Sequence, residues 1–188
     1  NALGQYNERF QSYQVIGSRA LSEGQPNQGW SVGSGLVWTG QSTDTGVGEY
    51  GEALSPVGIA GYRDLRFNVY SEEGLVFGSR LDVAKQGFDA DYDFARLTLN
   101  ATRYIRVGST AHQTVHFVGE TGMNWEGPES VRTFTLGGVG ALRGYPHGFR
   151  EGNAYYRVAA EWLRPVFKPW LRTLVIAEAG NVYAQPNE

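Results

Sequence analysis

Apolar and polar residues alternate along most of this chain with a period of two. In "FARLTLNATRYIRV", Ala95, Leu97, Leu99 and Ala101 fall on one side and Arg96, Thr98, Asn100 and Thr102 on the other. "LVFGSRLDVA" sets Leu75, Phe77, Leu81 and Val83 against Gly78, Arg80 and Asp82. "AHQTVHFVGE" sets Val115 and Phe117 against His112, Thr114, His116 and Glu120. "AYYRVAAEWL" sets Tyr156, Val158, Ala160 and Trp162 against Tyr155, Arg157 and Glu161. Successive side chains of a strand point to opposite faces, so this pattern predicts strands with one apolar and one polar face. Weaker alternation predicts strands at 6–18, 30–39, 62–70 and 171–183. The links "SEEG" (71–74), "QGFDAD" (86–91) and "VGS" (107–109) are short or glycine-bearing, which makes their neighbours antiparallel hairpins. Longer loops are expected at 40–60 and 122–152. No linker, repeat or low-complexity tract divides the chain, so 1–188 reads as one unit.

Two all-β architectures fit that pattern. A soluble sandwich buries the apolar face against a second sheet. A transmembrane antiparallel β-barrel turns it to lipid and keeps the polar face for a wet lumen. Three features favour the barrel. The polar faces carry full charges close together: Arg80, Asp82, Arg96, Glu120, Arg157 and Glu161. Aromatics gather near strand ends, as in an interfacial girdle: Trp30, Trp38, Tyr104, Tyr155, Tyr156, Trp162 and Trp170. Several strands run to about the 9–11 residues of a tilted span.

Composition narrows the function classes. The formal net charge of −3 gives no basic excess for nucleic acid. Cysteine is absent, which excludes disulfides and thiolate metal sites. Glycine (26 residues) and aromatics (13%) are abundant, a combination that disfavours helix and suits strands. No apolar run is long enough for a membrane helix, and the polar opening "NALGQYNERF" does not read as a signal peptide. Nucleotide, zinc-protease and nucleophile-elbow fingerprints are all missing. The expectation is a protein that is not an enzyme, with no cofactor and no metal.

One stretch breaks the alternation. "LGGVGALRGYPHGF", Leu136 to Phe149, has five glycines and a single internal arginine. Leu136, Val139, Leu142, Tyr145 and Phe149 supply apolar anchors, so such a loop can pack back against the protein with Arg143 at its tip. A buried arginine needs carboxylates, and Glu161 and Glu178 follow downstream.

The order "LGG…LRGY", then a strand ending "EWLRP", then "AEAGNVY", resembles the C-terminal barrel region of the Omp85 superfamily of outer-membrane proteins, which includes assembly factors, two-partner secretion transporters and surface-antigen barrels. The likeness covers roughly residues 62–184, with 1–61 matching only as loose barrel strands. It implies an inward-folded loop over 123–152 whose motif residues are Gly137, Gly138, Arg143, Gly144 and Tyr145. It implies that Arg143 pairs with Glu161 and Glu178 on the lumen wall. Leu142 stands where many members have valine, and Glu178 where many have aspartate. The family barrel has sixteen strands, and about eight are read here, so the expectation is a partial segment of such a barrel, or a stretch that closes alone as a small barrel of about eight strands. The implied activity is insertion or translocation of polypeptides at the outer membrane of a bacterium, or of an organelle of bacterial origin. The implied partners are outer-membrane lipid, unfolded polypeptide, and remaining barrel strands or periplasmic domains. The alternative is a passive barrel anchor for an attached enzyme or passenger domain.

Other groups read more plainly. His112, His116 and Glu120 share a predicted strand face, but an i, i+4 spacing of about 13 Å is too long for one ion, so they read as lumen lining. Glu72 and Glu73 read as solvated turn residues, and Ser109, Thr110 and His112 as the nearest approach to a nucleophile cluster. "GPES" (127–130) reads as loop and His147 as a polar loop residue. "WLRPVFKPW" (162–170) reads as a periplasmic turn with Trp162 and Trp170 at the membrane interface, ahead of a peptide-recognition strip.

Overall fold

The computed structural model of the protein describes residues 8–22, 28–43, 51–127, 133–138 and 141–184. These form an all-β structure of ten strands: β1 Glu8–Ala20, β2 Gln28–Thr43, β3 Gly51–Asn68, β4 Ser71–Ala84, β5 Phe94–Arg106, β6 Thr114–Trp125, β7 Phe134–Leu136, β8 Arg150–Gly152, β9 Ala154–Pro165 and β10 Arg172–Tyr183. Eight of them make one antiparallel sheet in the order β1-β2-β3-β4-β5-β6-β9-β10, and β7 and β8 form a separate hairpin. The sheet is not closed: β1 and β10 each have one neighbour.

The period-two pattern maps onto the register. One row of directly opposed residues runs Leu81, Leu97, Met123, Ala154. The adjacent face carries Gly78, Asn100, Glu120, Arg157 and Gly180 in another row. The β7–β8 hairpin and the loop around it lie on this second, polar face, which we call inner. On the outer face Val15 (80% exposed), Leu36 (50%), Phe117 (49%) and Val175 (52%) stand open, and among the described residues no second sheet covers them.

The core is correspondingly small. Two separate clusters of three buried apolar residues replace one contiguous interior. The first, Ala53, Ala84 and Phe94 with Ala90 and Tyr92, fastens the β4–β5 loop to the upper part of β3. Backbone bonds from Leu54 N to Asp89 O and from Asp91 N to Glu52 O continue that seam. In the same loop Asp93 accepts from Gln86 N (2.6 Å) and Lys85 Nζ (2.9 Å), which holds its carboxyl below the usual range. The second cluster holds the hairpin and is described below.

The sheet is strongly curved. Gln14 on β1 and Arg80 on β4 are separated by two strands, about 14 Å across, and by a register offset of about 13 Å along the strands. Even so, Arg80 Nη1 donates to Gln14 Oε1 at 3.4 Å. Between them the inner face of β2 carries Ser31, Gly33 and Gly35, so little side-chain volume resists the bend.

Several sequence expectations are corrected here. The loop expected at 40–60 is the end of β2 and the first half of β3, joined by residues outside the described set. "GEALSPVGIAG" alternates small residues and holds Pro56, so it lacks the strand signature, yet it pairs with β2 throughout. "SEEG" opens β4 and is not the turn; Asn68 and Ser71 pair and the turn lies at 69–70. Glu72 and Glu73 therefore sit on opposite faces of a strand. β6 extends to Trp125, so the excursion before β9 starts later than 122 and contains a hairpin of its own. His112 is outside β6, in the 107–113 link, with a left-handed φ of 62°. Tyr104 and Tyr155, expected in an outward girdle, point inward, opposite His116 and beside Phe134. The first two residues of the strand expected at 6–18, most of "GPES", Val139 and Gly140 lie outside the described residues.

Candidate functional site

The inner face of β6, β9 and β10 is a ladder of charges with a plug seated on it. Register sets Glu120 directly opposite Arg157, and His116 directly opposite Glu161. Glu178 on β10 is opposite Ala159, midway between Arg157 and Glu161, within diagonal reach of both. The result is a chain of contacts. Arg157 Nη1 donates to Glu120 Oε2 at 3.1 Å and its Nη2 to Glu178 Oε1 at 2.8 Å. The Arg157 and Glu178 side chains are 6% and 5% exposed, so they form a buried pair.

The plug rests on that ladder. β7 and β8 pair over three residues, Phe134 with Gly152 through Leu136 with Arg150. Leu136 and Leu142 bury with Val182 of β10, flanked by Ala141 and Tyr155. Phe134 packs against Tyr155 with ring centres 4.7 Å apart and planes tilted by 46°, and the Arg96 guanidinium lies over the Phe134 ring at 4.4 Å. Two wall glycines make room. A Cβ at Gly122 would stand 2.8 Å from Phe134 Cζ, and one at Gly180 3.1 Å from Leu136 Cδ2. Within the plug, Gly138 N donates to Tyr145 O, and Tyr145 stacks on Phe149 at 4.5 Å.

Arg143 joins plug to ladder in two ways. Its backbone N–H donates to Glu178 Oε2 at 2.7 Å. Its Nη2 donates to Glu161 Oε1 at 2.8 Å, and its Nε lies 3.8 Å from Glu178 Oε1. The guanidinium is only partly covered, while Glu161 and Glu178 are well buried. Gly144 follows with φ +90°, a left-handed conformation in which glycine carries no Cβ strain. Gly137 (φ +125°) and Gly138 (φ +94°) reverse the chain at the other end of the loop. Tyr145 is half exposed and touches neither glutamate among the described contacts.

The structure thus brings Arg143, Glu161 and Glu178 together, with Gly137, Gly138 and Gly144 shaping the loop between. Sequence reasoning missed how deeply Arg157 and Glu120 are engaged. Both were assigned to the polar face, but the signal that makes them partners is register, which alternation does not fix. It also missed His116, which lies 3.7 Å from Glu161 and 3.9 Å from Glu72, against Tyr104. His112 instead approaches Oγ of Ser71, the first residue of β4, at 3.2 Å. Among the described residues no cluster of histidine and carboxylate side chains has metal-binding geometry.

The arrangement can hold a segment in place through hydrogen bonds to its main chain and its guanidinium. Glu178 is the shared element, bonded at once to a fixed wall arginine and to the plug's main chain. Neither a family model nor a curated protein matches this sequence.

Proposed function

We propose that this chain is wall and plug of a transmembrane β-barrel of the Omp85 type, which inserts or translocates polypeptides at the outer membrane of a bacterium or of an organelle of bacterial origin. The observation that carries the reading is the contrast of faces. An uncovered apolar outer face stands against an inner face on which Arg143 meets Glu161 and Glu178 at hydrogen-bonding distance. A soluble protein rarely exposes an apolar area on that scale, whereas lipid covers it at no cost. An outward apolar face and an inward charged one are what a barrel wall requires. The tie to polypeptide handling comes from the order of the LRGY loop, the EWLRP strand and the AEAGNVY strand.

In this mechanism no bond is made or broken in the cargo. The latched plug occupies the lumen side of β9 and β10 and sets a resting conformation. Passage of a chain displaces the plug, and the Arg143 contacts to Glu161 and Glu178 restore it. In hydrocarbon the edge groups of β1 and β10 must be paired, either with further strands or with each other in a small barrel.

Arg143→Ala removes the side-chain half of the latch. The expected outcome is reduced secretion or assembly of a cargo polypeptide with membrane insertion retained, measured by cargo protease resistance in cells or proteoliposomes. Wild-type cargo handling by this variant overturns the latch. Recovery of the wild-type protein in aqueous buffer without detergent overturns the barrel itself.

A further inference from the structure

The two ends of the sheet differ in charge, and the difference lies on the outer face. One end, the turn end, is made by the links at 69–70, 107–113 and 166–171; the other, the loop end, by the β4–β5 loop and the plug excursion. At the turn end four arginines point outward. Arg19 is opposite Val32, Arg66 opposite Glu73, Arg103 opposite Leu75 and Phe117, and Arg164 opposite Thr173 and two residues beyond Trp162. Each falls within the last four residues of its strand, and all four are exposed. Arg66 stands opposite Glu73, whose carboxylate pairs with Arg106. Arg19, Arg103 and Arg164 make no ion pair with any described residue.

The loop end is different. Its Lys85 is already bonded to Asp93 at 2.9 Å with Glu126 also acting on it, and Glu52, Asp89 and Asp91 belong to the same end. A lipid-facing arginine is tolerated only where its head reaches the headgroup layer. Three unpaired guanidiniums on three strands therefore mark that layer; the outward carboxylates of this end, Asp64 and Glu73, lie on β3 and β4, and Glu73 is already paired with Arg106. A guanidinium fork matches phosphate oxygens in a bidentate manner. The neighbours of these arginines decide between lipid phosphate and free phosphate. Val32, Phe117 and Trp162 are exposed beside them, and an acyl chain covers such groups while a free anion leaves them wet.

We propose that Arg19, Arg103 and Arg164 form a belt that binds the phosphates of anionic phospholipid headgroups and so directs the turn end toward an anionic leaflet. The inference rests on the membrane reading above.

The test compares reconstitution of the detergent-purified protein into vesicles of phosphatidylcholine alone and of phosphatidylcholine with added phosphatidylglycerol, scored by flotation and by protease access to the two ends. Wild type should insert at least about fivefold better with the anionic lipid, a preference that high salt removes. The triple variant R19Q/R103Q/R164Q should insert equally in both, and R19K/R103K/R164K should keep most of the preference. Equal insertion of wild type into both vesicles, or an undiminished preference in the glutamine variant, overturns the belt and leaves the barrel standing. Failure of wild type to insert into either vesicle overturns the membrane reading and the belt with it.

Discussion

The β6–β9–β10 flank of the sheet and the β1–β2–β3 flank share one backbone plan and differ in what they turn inward. The first presents Glu120, His116, Arg157, Glu161 and Glu178. The second presents Ser18, Ser31, Gly33, Gly35, Val57, Ile59 and Gly61, with Arg63 as its one described inward charge. Charge is concentrated where the plug docks. Low side-chain volume is concentrated where the sheet bends, below the point at which the β4–β5 loop is fastened to β3. One repeating pattern of alternation therefore serves two tasks. An ion-pair ladder gives the hairpin and its loop a defined seat, and the other flank carries mostly small side chains on the same face. The general lesson is that alternation says which face is wet, while the volume and charge on that face say what the wet space is for.

Substitutions can break this contrast at either flank. The largest effect is expected from Glu178→Ala, which takes from buried Arg157 its more buried carboxylate, leaving Glu120 alone, and releases the main-chain bond of Arg143 as well. Loss of one partner of a buried pair costs about 3–5 kcal/mol. Thermal unfolding in detergent micelles, followed by heat-modifiable electrophoretic mobility, measures it. Gly122→Val comes next. Its side chain enters the space of Phe134 and the Tyr155 ring, so the plug should lift at a cost of about 1–3 kcal/mol while the wall stays paired. Limited proteolysis should cut the 133–153 segment faster with little change in unfolding temperature of the sheet. The smallest effect belongs to the bare flank. Gln14→Ala removes one long, exposed hydrogen bond to Arg80, which keeps its bidentate contact with Asp82. The expected change is about 0.5 kcal/mol or less, with no change in plug proteolysis. Equal effects from Gln14→Ala and Glu178→Ala would erase the distinction between the flanks.

How much of this was legible in the sequence follows from the physics of each feature. The faces of β4, β5, β6 and β9 were legible because a strand's side-chain period is fixed, and large apolar residues mark it clearly. The meeting of Arg143 with Glu161 and Glu178 was legible mainly through the resemblance of the LRGY, EWLRP and AEAGNVY segments; the loop's composition only suggested that its arginine needs carboxylates. The first half of β3 was not legible. Ala53, Ser55, Pro56, Gly58 and Gly61 are small or turn-like in isolation, and only pairing with β2 makes them a strand. The β7–β8 hairpin, three residues on each side, is too short for periodicity to detect. Arg157 was placed on the polar face, but its partners depend on the relative register of three strands, which is a tertiary fact. His112 reads as strand by position, yet its left-handed backbone puts it in the link before β6.

The bond from Arg143's amide nitrogen to Glu178 has a consequence of its own. A peptide N–H is supplied by every amino acid except proline, so that half of the grip is indifferent to which side chain evolution writes at the position. The guanidinium then acts as a vernier on an attachment the polypeptide spine already makes. Drift at this site would weaken the fastening by degrees before it could undo it.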